Sequence, residues 1–462
     1  MSFHQPIFWR QGTFLEPQHF QILELQRRGH LNLLLNSLIP WPWGMVNFRI
    51  NADALLNYDF SIQEMDLYLP NGFRLLYPQN VDVKGRSFRK VWTNPDDFLD
   101  VFLSVPYFNE SVPNAFSGEK EGTGAGGRLF SVKIGETEIP DLLGDGPGTK
   151  METMVFNASL VFGPELKAAE EGHYLIPLAK LYREGEKART AIYAPPTLAV
   201  YPESCLRDVL TDVLELLRAK GRQLEEYKTG PARGGKREDG DAGVNLVLTL
   251  LIVSRHTARL HGLLNGTALH PYTAFSALRE MAAELTIFAP GVSALGESLS
   301  GNGKALPPYD HLDPYPGFLE TRNLAARILD SINPGPDLMI AFRRDGEYFN
   351  LEFPDWMDLN FTAWISLSTE GNLLQARESL VNYAKLSSQS RLQSIISYNL
   401  PGIALNSLRD APVGLPRRGG TAYFAVRRED PLWEEAVKSG RLALFWDNAP
   451  EKCSLTLVGN RL

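Results

Sequence analysis

At Pro202 the chain changes period, and that switch limits the folds open to it. Ahead of it, from Val46 to about Val200, the apolar runs are short and bounded by Gly, Pro, Asn and Asp. They include Phe60-Ser61-Ile62, Asp66 to Leu69, Phe98 to Val105, Leu129 to Ile134 and Thr153 to Phe162. Asn71-Gly72 behind Leu69 is a hairpin-turn signal, because both residues tolerate the positive φ that a tight turn needs. Many short strands with frequent turns predict a β-sandwich or barrel-like domain. Behind Pro202, Glu203 to Tyr227 sets Leu206, Val209, Leu210, Val213, Leu214 and Leu217 on one side of a helix. Val244 to Leu264 and Pro271 to Phe288 predict two more helices, with Pro271 suited to a first helical turn. Antiparallel helices with short connections form a bundle, and apolar excess on the first two favours self-association.

Residues 290–316 are rich in Gly, Pro and Ser and mark the clearest domain boundary. Beyond them, Phe318 to Ile332 predicts a helix. Leu338 to Phe342 and Tyr348 to Phe353 predict a hairpin around Asp345-Gly346. Phe361 to Leu367 reads as a strand and Asn372 to Tyr383 as a helix. Thr421 to Val426, Leu432 to Lys438 and Leu442 to Trp446 continue as strand, helix, strand. The fold class is therefore α+β multidomain. Residues 1–200 form an N-terminal helix plus β-sandwich, 201–315 a central helical bundle and linker, and 316–462 a C-terminal α/β module.

A chain of 462 residues exceeds what one core organises. Its formal charge of −8 argues against nucleic-acid binding, which calls for a basic patch or stripe. Two distant cysteines, Cys205 and Cys453, make neither a disulfide framework nor a thiolate zinc site, and fit a reducing cytoplasm. The first residues lack a secretory n-region and h-region, and no apolar stretch reaches the roughly 20 residues that span a bilayer. Any membrane association is expected to pass through another protein or a surface contact.

Chemistry is sparse. His256 and His261 are five apart and miss the one-face spacing of a helical zinc pair, so no metal or cofactor is expected. Gly122 to Gly127 matches Gly-x-Gly-x-x-Gly, but a strand-like run follows where a dinucleotide site needs a helix. Gly144 to Lys150 has the order Gly-Thr-Lys without a following helix, which removes the P-loop mechanics. Ser117 to Lys120 has the spacing of a Ser/Lys pair without its accompanying elements. Pro307-Pro308-Tyr309-Asp310-His311-Leu312-Asp313 alone holds catalytic ingredients, a histidine flanked by two carboxylates. Its structural reading is a rigid, hydrogen-bonded interdomain linker through Pro308, Tyr309, Asp310, His311 and Asp313. Its catalytic reading is a hydrolase using His311 with Asp310 or Asp313. Trp41, Trp43, Trp356, Trp364, Trp433 and Trp446 read as core or hinge anchors. Arg417-Arg418 is a small basic loop that reads as solvated surface, with an acidic partner or anionic lipid headgroups as the alternative.

The N-terminus is unusually apolar: Phe8-Trp9-Arg10-Gln11-Gly12-Thr13-Phe14-Leu15-Glu16-Pro17-Gln18-His19-Phe20-Gln21. Chain ends are normally polar and frayed, so this one is either tied down or reserved for a partner. A helix is expected from Glu16 to Leu38, with Leu23, Leu31, Leu34, Leu35 and Leu38 on its apolar face and Gln26, Arg27 and Arg28 on its polar one. Pro17-Gln18-His19-Phe20 is expected to seat that helix against the strands, with His19 a structural histidine. Trp9, Phe14, Leu15, Pro17, Gln18, His19, Phe20, Arg417 and Arg418 are the candidate docking residues.

This segment resembles the opening of the TssK family of type VI secretion baseplate subunits, with Gln11 where Glu is usual and Thr13 where Met is usual. Trp41-Pro42-Trp43-Gly44, Pro307 to Asp313, Tyr398-Asn399-Leu400-Pro401-Gly402-Ile403-Ala404-Leu405, and Gly420 to Phe424 with Leu432-Trp433 and Gly440 to Trp446 are similar to further family segments, in the same order. The resemblance implies a non-enzymatic trimeric adaptor. Its β shoulder, like that of phage receptor-binding proteins, would bind the TssF/TssG wedge. Its helical neck would trimerise, and its C-terminal head would face the inner membrane and contact the cytoplasmic parts of TssL and TssM. Sheath or tube components are further candidate partners, and a phage-like tail receptor-binding protein is the alternative within the same architecture.

Overall fold

The computed structural model describes residues 5–94, 96–116, 127–133, 138–169, 171–225, 241–299, 305–332, 338–409, 411–412, 415 and 420–461. The expected loops at Ser117 to Lys120 and Gly122 to Gly126, residues 229–240 and Arg417-Arg418 lie outside the described residues. The chain divides into two compact units: residues 1–215 with 256–328, and residues 216–255 with 329–462.

In the first unit, Gly44–Ile50, Ile62–Tyr68 and Arg74–Tyr77 form a three-stranded antiparallel sheet. The Asn71-Gly72 signal becomes its hairpin turn. Gly72 takes φ 81°, the Asn71 side chain accepts from the Phe73 N–H at 3.2 Å, and the register closes as Tyr68 opposite Arg74. A second sheet runs Ser159–Phe162, Leu99–Pro106, His173–Glu184, Lys187–Thr190, antiparallel throughout. A third joins Val81–Asp82, Thr153–Asn157, Phe130–Lys133 and Ala115–Phe116, with parallel pairing at both edges. One core serves these strands: Met45, Phe60, Met65, Leu67, Leu99, Leu103, Phe162 and Ile176 are all buried in it. Burial of each large side chain contributes roughly 1.5–3 kcal/mol, which holds short strands that could not stand alone.

The helix Pro17–Leu38 reverses the expected seating. Its one buried residue is Gln26, whose amide donates to the Gln5 carbonyl. Asn32 donates to the Pro70 carbonyl at 3.3 Å, and the Arg28 guanidinium lies 4.0 Å over the Phe73 ring. Polar side chains and Arg28 thus fasten the helix to the strands, while Leu31, Leu33, Leu34 and Leu38 stay exposed. Pro17, Gln18 and Phe20 are exposed too, so the seat lies one to four turns later than expected.

The six apolar residues read from Glu203 to Tyr227 are all buried along the helix Cys205–Glu225. Asp241–Leu264 is the second long helix and Pro271–Leu285 the third, the latter passing into a 3₁₀ turn at Thr286–Phe288. Tyr315–Ser331 follows. Gly317 there sits where a Cβ would meet the Phe275 ring at 3.1 Å, a close approach of helix to aromatic.

In the second unit a five-stranded antiparallel sheet runs Leu338–Ala341, Cys453–Arg461, Phe361–Thr369, Thr421–Val426, Leu405–Ser407. A four-stranded sheet runs Arg343–Asp345, Tyr348–Glu352, Arg441–Phe445, Lys385–Ser388. The hairpin at Asp345-Gly346 therefore pairs Arg343–Asp345, not Leu338 to Phe342, with the strand at Tyr348. Arg343–Asp345 are exposed charged residues suited to an edge, whereas Leu338 and Phe342 are buried and stay with Leu455 and Leu457 on the other sheet. Trp433 and Trp446 lie in this core, while Trp356 is exposed. The helix Pro431–Ser439 has its sequence-coded ends: Asp430 accepts from the Leu432 N–H at 2.9 Å, and Gly440 takes the left-handed φ of 71° behind it. Asp430→Ala is expected to cost about 1 kcal/mol, read as a lowered urea midpoint for this unit.

Candidate docking surfaces and a buried histidine joint

The Pro307 to Asp313 cluster folds onto the Trp41-Pro42-Trp43 turn within the first unit. His311 is 4% exposed, and its Nε2 lies 3.0 Å from the Trp43 carbonyl. A carbonyl only accepts, so Nε2 carries the proton, and Nδ1 is left to accept from the Tyr309 hydroxyl at 2.9 Å. His270 repeats the arrangement: its Nε2 donates to the Trp41 carbonyl at 3.2 Å, and its Nδ1 caps the helix Pro271–Leu285 by accepting from the Tyr272 N–H at 3.1 Å. Two imidazoles, parallel to within 2° and 6.4 Å apart, thus hold alternate carbonyls of one tripeptide. Trp41 lies against Tyr272, Tyr309 and His311 at 5.0–5.8 Å. Its φ of 47° is left-handed, a geometry that costs a non-glycine residue roughly 1–2 kcal/mol and that the joint must hold.

The electrostatics follow from this packing. Burial pushes His311 down to about 4; the bond to the Trp43 carbonyl and the field of Asp310 oppose it without prevailing, and neighbouring His270 lowers it further. Burial also lowers His270 and raises Tyr309, each opposite to its charged form. Neither flanking carboxylate orients His311. Asp310 accepts from the Leu312 N–H at 2.9 Å, Asp313 pairs with Lys180 at 2.8 Å, and the Tyr193 hydroxyl donates to the Leu312 carbonyl at 2.7 Å. With both ring nitrogens engaged and no carboxylate on it, His311 has no free basic atom to offer a substrate. The hydrolase reading fails on this geometry.

The opening segment turns and then caps its helix. Arg10 to Thr13 close a turn with Gly12 at φ 82°, in which the Thr13 N–H meets the Arg10 carbonyl at 3.2 Å. His19 Nδ1 accepts from the Glu16 N–H at 3.2 Å, and its ring lies 5.7 Å from Trp9. His19 is thereby occupied as a capping group. Around it the apolar side chains face outward: Phe14 is 82% exposed, and Phe8, Trp9, Leu15 and Phe20 are exposed as well. Val247, Leu248 and Leu251 form an exposed apolar patch on the helix Asp241–Leu264, and Leu374, Tyr398 and Leu400 lie exposed on the second unit.

Other sequence candidates resolve locally. At Gly144 to Lys150, the Asp141 carboxylate already accepts from the Leu143 and Gly144 N–H groups, both at 3.0 Å, so a carboxylate fills the turn where a phosphate would bind. Those backbone bonds hold Asp141 below the usual carboxylate range. His256 is buried against Glu284 at 2.9 Å, while His261 is exposed, so the two do not converge. Among the described residues no group of three or more His, Cys, Asp or Glu is placed to hold a metal ion. Nor is any helix there long and apolar enough to cross a membrane. His270 was not singled out in the sequence. Its signal was its place, immediately ahead of a proline that opens a helix.

Histidines fixed as fasteners and apolar side chains left at the surface define a structural protein built to be assembled with others. The family model T6SS_VasE, described as "Bacterial Type VI secretion, VC_A0110, EvfL, ImpJ, VasE", matches residues 19–459. The baseplate component TssK1 of the Pseudomonas aeruginosa type VI secretion system is 23% identical over 96% of this chain and 96% of its own. A chain in a solved type VI secretion baseplate complex superposes with a TM-score of 0.62 at 19% identity, over 100% of both chains. Another, in a TssK-TssF-TssG baseplate subcomplex, gives 0.59 at 19% identity, over 71% of this chain and 99% of that one. These two likenesses show the fold. The chain belongs to the TssK family of type VI secretion baseplate subunits, and is a structural component, not an enzyme.

Proposed function

We propose that this chain is a trimeric adaptor at the cytoplasmic face of the bacterial inner membrane, joining the TssF/TssG wedge to the cytoplasmic parts of TssL and TssM. The observation that carries the reading is the inverted opening helix, which spends polar side chains on its own strands and, with the segment ahead of it, leaves Phe14, Phe20, Leu31, Leu34 and Leu38 outside. Exposed apolar area on that scale marks an interaction surface. The solved relative that assembles with TssF and TssG supports a wedge as its occupant. In this reading residues 1–200 are a β-sandwich shoulder, 201–315 a helical neck and linker, and 316–462 the head. Val247, Leu248 and Leu251 would pack against other copies in the neck. The joint at His311 would set the neck on the shoulder, and the head would carry the membrane-side contacts, with Arg417 and Arg418 as candidates there. Closed three-fold symmetry would present three copies of each weak surface at once and raise avidity without any new contact.

Light scattering on the full chain at micromolar concentration is expected to give three times the monomer mass. Addition of TssF and TssG is expected to shift it into a larger complex, and the Phe14→Asp, Leu34→Asp double variant to abolish that shift while remaining a trimer. A monomeric wild-type protein would remove the trimer, and a double variant that still joins the wedge would remove the docking surface.

A further inference from the structure

Tyr58 is a platform for two cations that no acid neutralises. It takes a left-handed φ of 61°, unfavourable for a bulky side chain and a mark of a backbone held for a purpose. Four bonds fix it: its N–H donates to the Leu55 carbonyl at 3.1 Å, its carbonyl accepts from the Phe88 N–H at 2.9 Å and the Ser87 hydroxyl at 3.1 Å, and its own hydroxyl donates to the Glu186 carbonyl at 2.7 Å. The Arg89 guanidinium lies 4.9 Å from the ring centroid and that of Arg183 lies 5.7 Å from it. Arg183 also stacks on Trp92 at 4.8 Å and donates one Nη2 bond to the Trp92 carbonyl, leaving its Nε buried without a partner.

An arginine stacked by its face, as Arg89 is, keeps its planar N–H edge for carboxylate recognition, while Arg183, with Nη2 bonded and Nε buried, adds mainly its charge. Lys84-Gly85-Arg86-Ser87-Phe88-Arg89-Lys90 places four cations in one acid-free run, and Lys187 follows Glu186 beside the Tyr58 hydroxyl. Within this group only Arg86 has a carboxylate, that of Glu165; Lys84, Arg89, Lys90, Arg183 and Lys187 meet none among the described residues. Glu184 is taken by Arg189, while Asp59 and Glu186 are exposed nearby and form no ion pair. Like charges gathered on one ring repel one another, and an anion bridging them removes that cost.

We propose that this Tyr58 platform, with Arg89, Lys90, Arg183 and Lys187, docks an acidic segment of a partner protein, whose carboxylates meet the Arg89 edge within the field of the other cations. A short acidic stretch fits better than a nucleic acid or an anionic membrane, because the patch is small and the chain's charge of −8 repels an extended polyanion. The site needs no particular wedge protein and shares no residue with the apolar surface of the opening helix.

The test is fluorescence anisotropy of labelled hexaglutamate on the full-length protein at low salt, with hexaglutamine as control. Saturable binding to hexaglutamate alone is expected, weakening as salt rises. In the Arg89→Gln, Lys90→Gln double variant the affinity should drop about tenfold, with unchanged melting temperature and unchanged light-scattering mass. No saturable binding to wild type, equal binding of hexaglutamine, or an unaffected double variant would each overturn the proposal. So would phosphatidylglycerol vesicles that bind through the same two residues and displace the peptide. Loss of hexaglutamate binding with trimer and wedge association intact separates this site from the adaptor role; loss of the trimer with peptide binding intact does the reverse.

Discussion

Gly44→Ala is expected to cost the first unit about 3–5 kcal/mol, a large effect for the addition of one methyl group. The added Cβ would lie 2.7 Å from the Pro196 oxygen and 2.8 Å from both the Pro196 carbonyl carbon and the Thr197 nitrogen. All three are backbone atoms, so no side chain can swing aside. The φ of 121° is also one that L residues rarely adopt. Relief requires the 195–198 segment to move. That segment accepts the Met45 N–H at 2.7 Å, returns the Leu198 N–H to the Met45 carbonyl at 2.8 Å and buries Thr197 completely. Gly12→Ala is the internal control. Gly12 has φ 82° but nothing within 4 Å of its Cβ position, so it should cost only about 1 kcal/mol. Melting curves of the two variants decide the matter: a Gly44→Ala protein as stable as Gly12→Ala would show that the Trp41 to Gly44 turn is not the tight seat described above.

Acidification from pH 6.5 to about 4 is expected to remove about 3 kcal/mol through His311 alone. The native state holds this imidazole neutral down to about 4, whereas an unfolded histidine protonates near 6.5. Below 6.5 the unfolded chain therefore takes up a proton that the native chain refuses, and stability falls with pH until the native group titrates as well. Above 6.5 neither state binds the proton and the contribution is complete. His270 is lowered by burial too and acts in the same direction. The carboxylates held low by their partners, Glu165 and Glu435 among them, lose their contributions only below their ordinary range of about 4–4.5. Urea titrations between pH 6.5 and 5 thus isolate the histidines. His311→Gln should be less stable than wild type at pH 7 yet show a flatter pH dependence. An equal slope in both proteins would mean that His311 is not the group responsible.

The architecture was legible where information is local. Six apolar residues at helical spacing from Leu206 to Leu217, the Asn71-Gly72 turn, and the helix at Leu432 to Lys438 each depend on near neighbours in the sequence, and each is found in place. Pairing partners were not legible. Cys453–Arg461, which lies between Leu338–Ala341 and Phe361–Thr369, alternates like any half-buried strand, and nothing local says that it belongs in the middle of a sheet. The helix Gln389–Ser397 passed unnoticed because only Leu392 and Ile395 are buried on it. The opening helix shows the deeper limit: periodicity finds an apolar face but does not say whether this chain or another covers it. At the joint, Pro307 to Asp313 announced itself by its ingredients. The chemistry of His311 is decided instead by its burial and by a carbonyl 268 residues away that occupies its proton.

The interior place of Cys453–Arg461, second in the five-stranded sheet, also orders events in time. During synthesis, Leu338–Ala341 and one edge of Phe361–Thr369 have no strand to pair with until residues near 461 emerge from the ribosome. The five-stranded sheet is therefore closed by a strand about 90 to 120 residues downstream of its two neighbours, a sequence separation that slows pairing. Until then the nascent unit carries bare strand edges that invite wrong partners.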